Sequence, residues 1–490
     1  MIWATCNARP RQFRVYCIAR TIVTARSGTR ADCASARLDR CRHRGQIAVI
    51  IGYIERLGGW VIRRIITVLA ILHCLAFIDR TMIGGALPLM RLDLPMTDAG
   101  AGWLIGTAFA VPYGVTALAL AAMLRGRRAS PWWLIGGVAV WTAATLVTGA
   151  AQSTTILMLA RAGLGIGQAM FVPVAIAWLV DTAGTDGRAR ALSVFTSGST
   201  IGRSTALLAI GALLSLLTVL APVDPANPLS GVAHWRWLFV ITALPNIVML
   251  PLLVGIRRSA ARIGPAETLP DGPPTSPLPA EVRWSTIALY FAAAIMPVLL
   301  IQAMGAWLPT LFVRDRGLLP AEAAILLGAV TLIAAPAGQL AGGWLMTRYT
   351  AWHDHVPAIL LTGLIATLLP LAALVWAPSL AGAVVGVAMA NLTLGIASFC
   401  GLFGVQMLSP VSARVTVNGI FLALVTLVGV GVGPLLTGVL ATGAGSGGAG
   451  TVPAVGALGA ALFTTGVIAS CVCALAVWAV RPRYRQRCAA

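Results

Sequence analysis

From about residue 62 to residue 480 the chain repeats one pattern, an apolar run followed by a short polar or glycine-bearing turn. Each run is about 20 residues long, enough to cross a hydrocarbon core of about 30 Å as a helix. A backbone in lipid must satisfy its own polar groups, and a helix does so within one segment. Twelve runs are legible, near 65–90, 99–124, 131–150, 155–180, 191–220, 235–255, 285–312, 322–346, 357–376, 380–408, 415–440 and 455–480. The predicted fold class is an all-α membrane protein with twelve transmembrane helices. Composition agrees: 58% of residues are hydrophobic and only 10% charged, which is unlike a soluble domain.

The formal net charge of +20 would suggest a nucleic-acid partner in a soluble protein. Its placement argues against one. Thirteen of the 35 basic residues lie in the first 64, most others fall in alternate loops, and all are arginine. One set of loops holds Arg125, Arg127, Arg128, Arg188, Arg190, Arg257, Arg258, Arg262, Arg283, Arg348 and Arg414, with four more arginines in the tail; the opposite set holds Arg91, Arg236, Arg314 and Arg316. Arginine-rich short loops stay cytoplasmic, so both termini and the central linker are expected on that side of a cell membrane.

Between the sixth and seventh runs, IRRSAARIGPAETLPDGPPTSPLPAEVRW is polar and proline-rich, the composition of a linker. The expected organisation is a basic leader (1–60), an N-terminal six-helix bundle (61–255), the linker (256–284), a C-terminal six-helix bundle (285–480) and a basic tail (481–490). The leader lacks the apolar core of a secretory signal and is expected to be disordered or to reflect a misplaced start. The nine cysteines show no metal-ligand spacing, and no paired carboxylates or nucleophile constellation stand in the spans. Neither a metal, a cofactor nor an enzyme activity is expected.

Chemistry in such a chain concentrates where polar groups enter the apolar runs. Of fifteen acidic residues only Asp79, in LHCLAFIDRTMIGGALPL, lies well inside a span. A charge there costs roughly 2.5–3.5 kcal/mol on insertion scales, so it should face a partner or a water-filled cavity. Asp79 is the candidate proton-coupling residue. Arg80 follows it, but adjacent helical residues point about 100° apart, so the two do not pair face to face. In the fourth span, Arg161 and Gln168 are seven residues apart and share a face. Arg161 could pair with Asp79, leaving Arg80 or both guanidinium groups to hold an anionic substrate by forked hydrogen bonds; alternatively the charges form a structural ion pair between helices. Arg203, in STIGRSTALLAIG, could line the cavity or bond backbone at a packing site.

The intramembrane amides Gln302, Gln339, Asn391, Gln406 and Asn418 are candidates for substrate contact or for interhelical bonding, with Gln302 and Asn391 placed deepest. His73 shares a face with Arg80 and is expected to be a satisfied interior group. GLGIG in span four and VGVGVGPLLTG in span eleven supply small residues for close helix packing. The second span ends ALALAAMLRGRR and the eighth LAGGWLMTRY, matching positions in two halves, as in a duplicated transporter.

Twelve spans, the central linker and a run of local motifs resemble the major facilitator superfamily: FIDRTMIGGALP, DLPMTDAGAGWLIGTAFAVPYG, ARAGLGIGQAMFVP, WLPTLFVRDRGLLPAEAAILLG, and SPVSARVTVNG leading into VGVGVGPLLTG. Over residues 65 to 480 they are similar to the spinster-like branch and, more distantly, to the anion:cation symporter branch. The resemblance implies the major facilitator fold, with alternating access between two bundles and a site at their interface. It places the family's span-one acid on Asp79, the adjacent arginine on Arg80 and the span-four arginine on Arg161. Where a glutamate commonly follows that arginine by seven residues, this chain has Gln168, which cannot titrate. Loop 2/3 lacks the aspartate that usually precedes its arginines, and Thr347 stands where the second copy would carry one.

The expected function is a monomeric secondary transporter in the lipid bilayer, proton-coupled through Asp79, moving a small organic anion or amphipathic acid held by Arg80, Arg161, Gln168, Gln302 and Asn391. The alternatives are an exporter of lipid-like or drug-like molecules, or a degenerate membrane receptor that does not transport.

Overall fold

The computed structural model describes residues 36–124, 130–182, 184–220, 232–263, 283–409, 414–445 and 456–488. The arginine turn after span two, most of the proline-rich linker and residues 1–35 of the leader lie outside the described residues. Two compact units divide the chain, Met1–Trp60 and Val61–Ala490. In the first, the described residues are helical from Ala36 onward; Ala36–Trp60 contains no proline and holds five arginines and four isoleucines, which a helix tolerates.

The second unit is helical wherever it is described. Its elements are α1 (Ile62–Asp93), α2 (Asp98–Met123), α3 (Trp132–Ala150), α4 (Thr154–Thr182), α5 (Gly184–Leu220), α6 (His234–Ile263), α7 (Trp284–Arg316), α8 (Pro320–Arg348), α9 (Thr350–Trp376), α10 (Leu380–Leu408), α11 (Val417–Gly443) and α12 (Ala457–Cys488). Eleven have a stretch long and apolar enough to cross a membrane. The twelfth, α5, bends by 44° between Arg190–Arg203 and Thr205–Leu220. α6 outruns its predicted end because IRRSAARI, though polar, contains no residue that stops a helix.

Several local departures from regular helix have visible causes. α9 breaks at Thr367, between Val356–Ala366 and Leu368–Trp376, just before Pro370, which has no N–H to continue the ladder. α2 and α11 each contain a π-helical turn, Trp103–Thr107 and Val425–Val430, and the two helices touch where Thr107 Oγ1 donates to Gly431 O at 3.0 Å. Orphan carbonyls at helix ends are met by arginine: Arg236 caps α3 through Gly149 O and Ala151 O, and Arg316 caps α9 through Leu374 O, Val375 O and Ala377 O.

Glycine sets how closely the helices approach. In GLGIG, a Cβ on Gly165 would meet Phe109 O of α2 at 2.5 Å, and one on Gly167 would meet Gly137 O and Trp141 N of α3, both at 2.6 Å. Gly167→Val is therefore expected to wedge α3 from α4 at a cost of about 1–3 kcal/mol or more. A thermal unfolding midpoint in detergent should fall by roughly 5 °C; an unchanged midpoint would show that the α3–α4 contact is looser than described.

At the end where α1 finishes and α2 begins, the two bundles are pressed together. A Cβ on Gly84 of α1 would lie 3.2 Å from Gly305 O of α7, one on Gly211 of α5 2.9 Å from Ala321 O of α8, and one on Gly102 of α2 2.5 Å from Pro434 O of α11. Met82, Leu87 and Ile210 from the first bundle share one continuous apolar core with Leu299, Trp307 and Leu327 from the second. A separate core around Phe109, Trp141, Phe171 and Phe195 lies in the first bundle, with Val430 of α11 joining it.

Candidate functional site

Between the bundles lies a central cavity of about 1140 Å³ of space free of protein atoms, part of it continuous with solvent. α1 brings Phe77, Arg80, Thr81 and Gly84 to it, α4 brings Arg161 and α5 brings Arg203. The opposite wall carries Gln302, Met304 and Leu308 from α7, Thr331 and Gln339 from α8, and Asn391 from α10. No Asp or Glu is among the lining residues.

Sequence reasoning placed Asp79 and Arg80 on different faces, and they are. Arg80 turns to the cavity, while Asp79 is 3% exposed and points to α6, where Asn246 Nδ2 donates to Asp79 Oδ2 at 2.7 Å. Asn246 is fully buried, and its Oδ1 has no hydrogen-bond partner. The Asp79–Arg161 pairing raised above does not form. Arg161 Nη2 donates instead to Arg80 O at 2.8 Å and Ile105 O at 3.2 Å, and among the described residues Asp79 makes no ion pair. Ile105 sits in the π turn of α2, and such turns recur at functional sites.

Gln168 does two jobs at once. Its Oε1 accepts from Arg80 Nε at 3.2 Å and Nη2 at 2.8 Å, and its Nε2 donates to Ala76 O at 2.9 Å. A glutamate could accept from Arg80 but could not donate to that carbonyl. The amide ties α4 to the Arg80 side chain and to the α1 backbone without neutralising the guanidinium.

Aromatic faces supply the remaining support. The Arg80 guanidinium lies 4.5 Å from the Phe77 ring centroid and 4.4 Å from that of Phe109; Arg161 lies 5.3 Å from Phe109 and Arg203 5.2 Å from Phe77. Cations are drawn to these faces. Across the cavity, Asn391 Nδ2 donates to Val387 O of its own helix, and Gln302 and Gln339 face the space from the amide-bearing wall.

Other polar groups in the helices bond to neighbouring helices or to their own backbone. Gln406 Nε2 donates to Asn418 Oδ1 at 2.8 Å, joining α10 to α11. His73 stacks on Phe195 at 4.2 Å and donates from Nδ1 to Phe195 O at 2.9 Å. Thr347, at the position of a missing gate acid, bonds back to Gly343 O of α8. Asp98, not singled out in the sequence, is fully enclosed: Arg314 of α7 donates to it twice, at 2.8 and 3.0 Å, and Arg91 of α1 donates to Oδ1. Thr442 Oγ1 of α11 accepts from Ala99 N at 2.9 Å beside it. Asn246 and Asp98 were missed as partners; Asn246 could have been found by the same search for amides inside apolar runs.

Two six-helix bundles around a cavity sealed at one end define a membrane transport protein of the two-bundle type rather than an enzyme. The chain belongs to the Major Facilitator Superfamily, whose family pattern it matches over residues 69–434. It is 26% identical over 308 residues to an MFS-type efflux pump of Mycolicibacterium smegmatis, covering 62% of this chain and 66% of that protein. It is 25% identical over 260 residues to protein spinster homolog 1 of Homo sapiens, covering 51% and 46% respectively. The matches thus span just under two thirds of the efflux pump and under half of the spinster homolog. Among solved structures, a bacterial homolog to the human lysosomal transporter spinster, in an inward-facing and occupied conformation, superposes with a TM-score of 0.69 at 22% identity, covering 86% of this chain and 96% of that one. Together these support the spinster-like branch.

Proposed function

We propose that the chain is a secondary active transporter, proton-coupled through Asp79, that carries a small organic anion or amphipathic acid. The observation that carries this reading is the cavity wall: Arg80, Arg161 and Arg203 line it, and no carboxylate does. A cluster of like charges in a low-dielectric site calls for a counter-ion, and the forked guanidinium suits a carboxylate or similar oxyanion. Ile105, Leu207, Ile301, Met304 and Leu308 offer an apolar body contact, while Gln302, Asn391 and Gln168 supply or support neutral hydrogen bonding.

Asp79 is suited to carry the proton because it stands apart from the anion site. A carboxyl group sealed from water, with one amide beside it and no cation paired to it, is accommodated as the neutral acid. Protonated Asp79 could also donate to the unpartnered Asn246 Oδ1 once the amide turns, forming a two-bond acid–amide pair. Losing the proton would break that pair and favour a different packing of α1 on α6. With the arginine-rich loops on the cytoplasmic side, the sealed end of the bundles would be the outer one and the cavity would open to the cytoplasm in this state. The efflux-pump relative favours outward transport, with the proton moving the opposite way.

The reading is tested in proteoliposomes with an imposed pH gradient and a panel of radiolabelled organic acids. Wild-type protein should move at least one acid in response to the gradient. Arg80→Ala, which removes a central guanidinium and frees Gln168, should reduce that flux by about two orders of magnitude, the scale of a lost buried charge contact. Flux of an acid that is unchanged in Arg80→Ala would sink the anion site.

A further inference from the structure

The three guanidinium groups form a row in which phenyl rings alternate with cations: Arg203, Phe77, Arg80, Phe109, Arg161. Phe77 is within reach of the first two cations and Phe109 within reach of the second and third. Ring faces hold the cations in place but do not cancel their charge. Gln168 and the backbone carbonyls that bind Arg80 and Arg161 are neutral too. Arg203 has less still. It is exposed to the cavity, and among the described residues it has no hydrogen bond or ion pair.

Backbone packing puts Arg203 there. Gly198 and Gly202 of α5 rest on Ala70 and Cys74 of α1, so closely that a Cβ on Gly202 would come within 3.0 Å of Cys74 Cα. The next residue along α5 therefore emerges beside Phe77, three residues on from Cys74, at the 44° bend of α5. The position is dictated by helix contact rather than by the reach of a flexible side chain, and it faces the cavity.

We infer that Arg203 is a second anion contact and that the cavity selects an organic acid carrying two negative charges over one carrying a single charge. This rests on the organic-anion reading given above. A monoanion engaging Arg80 and Arg161 would leave the Arg203 charge facing the cavity without a counter-ion. A dianion spans Phe77 and meets both sides of the row, and the apolar lining accepts the carbon chain between its charges.

The test uses the full chain purified in an uncharged detergent, free of anionic lipid, with octanedioate and octanoate as matched probes in titration calorimetry. Wild-type protein should bind octanedioate at least about tenfold more tightly than octanoate, the gain expected of one further charge-assisted contact. Arg203→Gln should abolish that preference by weakening octanedioate alone, leaving octanoate within about twofold. Arg203→Lys, which keeps the charge, should retain most of it. Equal binding of the two acids by wild-type protein, or a preference that survives in Arg203→Gln, overturns the inference while leaving anion transport standing. If neither acid nor a wider panel of monocarboxylates binds, the organic-anion reading falls and takes this inference with it.

Discussion

Asp79→Asn is expected to abolish accumulation driven by a pH gradient while preserving exchange of substrate down its own gradient. The carboxamide has nearly the shape of the neutral acid and can keep a hydrogen bond to Asn246, which donates to Asp79 at 2.7 Å. It cannot release a proton. With one proton per substrate, a gradient of one pH unit can sustain about tenfold accumulation, because one unit corresponds to about 1.36 kcal/mol. The variant should lose that factor. Because Asp79 does not line the cavity, substrate affinity should change by less than about threefold, which separates coupling from binding. Accumulation that still follows the imposed gradient in Asp79→Asn would move the proton site elsewhere.

The second large effect concerns the sealed end. Asp98 has no side-chain exposure and accepts from Arg314 of α7 and Arg91 of α1, so one carboxylate ties the N-terminal bundle to the C-terminal one. Its arginine partners keep 18% and 16% exposure and can be partly rehydrated when released. Hydrogen bonds to charged groups contribute about 1.5–3 kcal/mol each in favourable settings; with rehydration discounted, Asp98→Ala should favour opening of this end by ~2 kcal/mol, or about thirtyfold in the ratio of closed to open forms. Spin labels at Leu92→Cys and Leu319→Cys, both exposed positions flanking the clamp, would report the change as a longer distance population, in a background lacking the accessible native cysteines. A distribution that matches the parent would mean that the glycine contacts at Gly84, Gly102 and Gly211 close the end unaided.

Much of the scaffold was legible residue by residue. The tenth run was read as 380–408, and α10 is Leu380–Leu408; the second was read as 99–124 and forms Asp98–Met123. GLGIG announced close packing, and Gly165 and Gly167 supply it toward two different neighbours. The separation of Asp79 from Arg80 followed from helical geometry. Their partners did not. Arg161 could have paired with Asp79, the one acid well inside a span, yet it bonds the carbonyls of Arg80 and Ile105, because a π turn and the approach of three helices present those acceptors first. Gln168 looked like a loss, a site that cannot titrate. In the structure its amide binds an arginine and a carbonyl together, leaving the arginine charged and unneutralised toward the cavity.

Sequence alone determined the all-helical class and the approximate position of most spans, because bilayer thickness is a one-dimensional constraint that each apolar run meets or fails by itself. It also determined which few residues carry charge into the interior. Only the tertiary structure decided which of those charges meet. Asn246 stands 167 residues from Asp79 and Arg314 stands 216 from Asp98, and such pairs form only where helix packing, set by glycine contacts and bends, brings two faces together. That packing sorted one acid to a private amide and three arginines to a shared cavity.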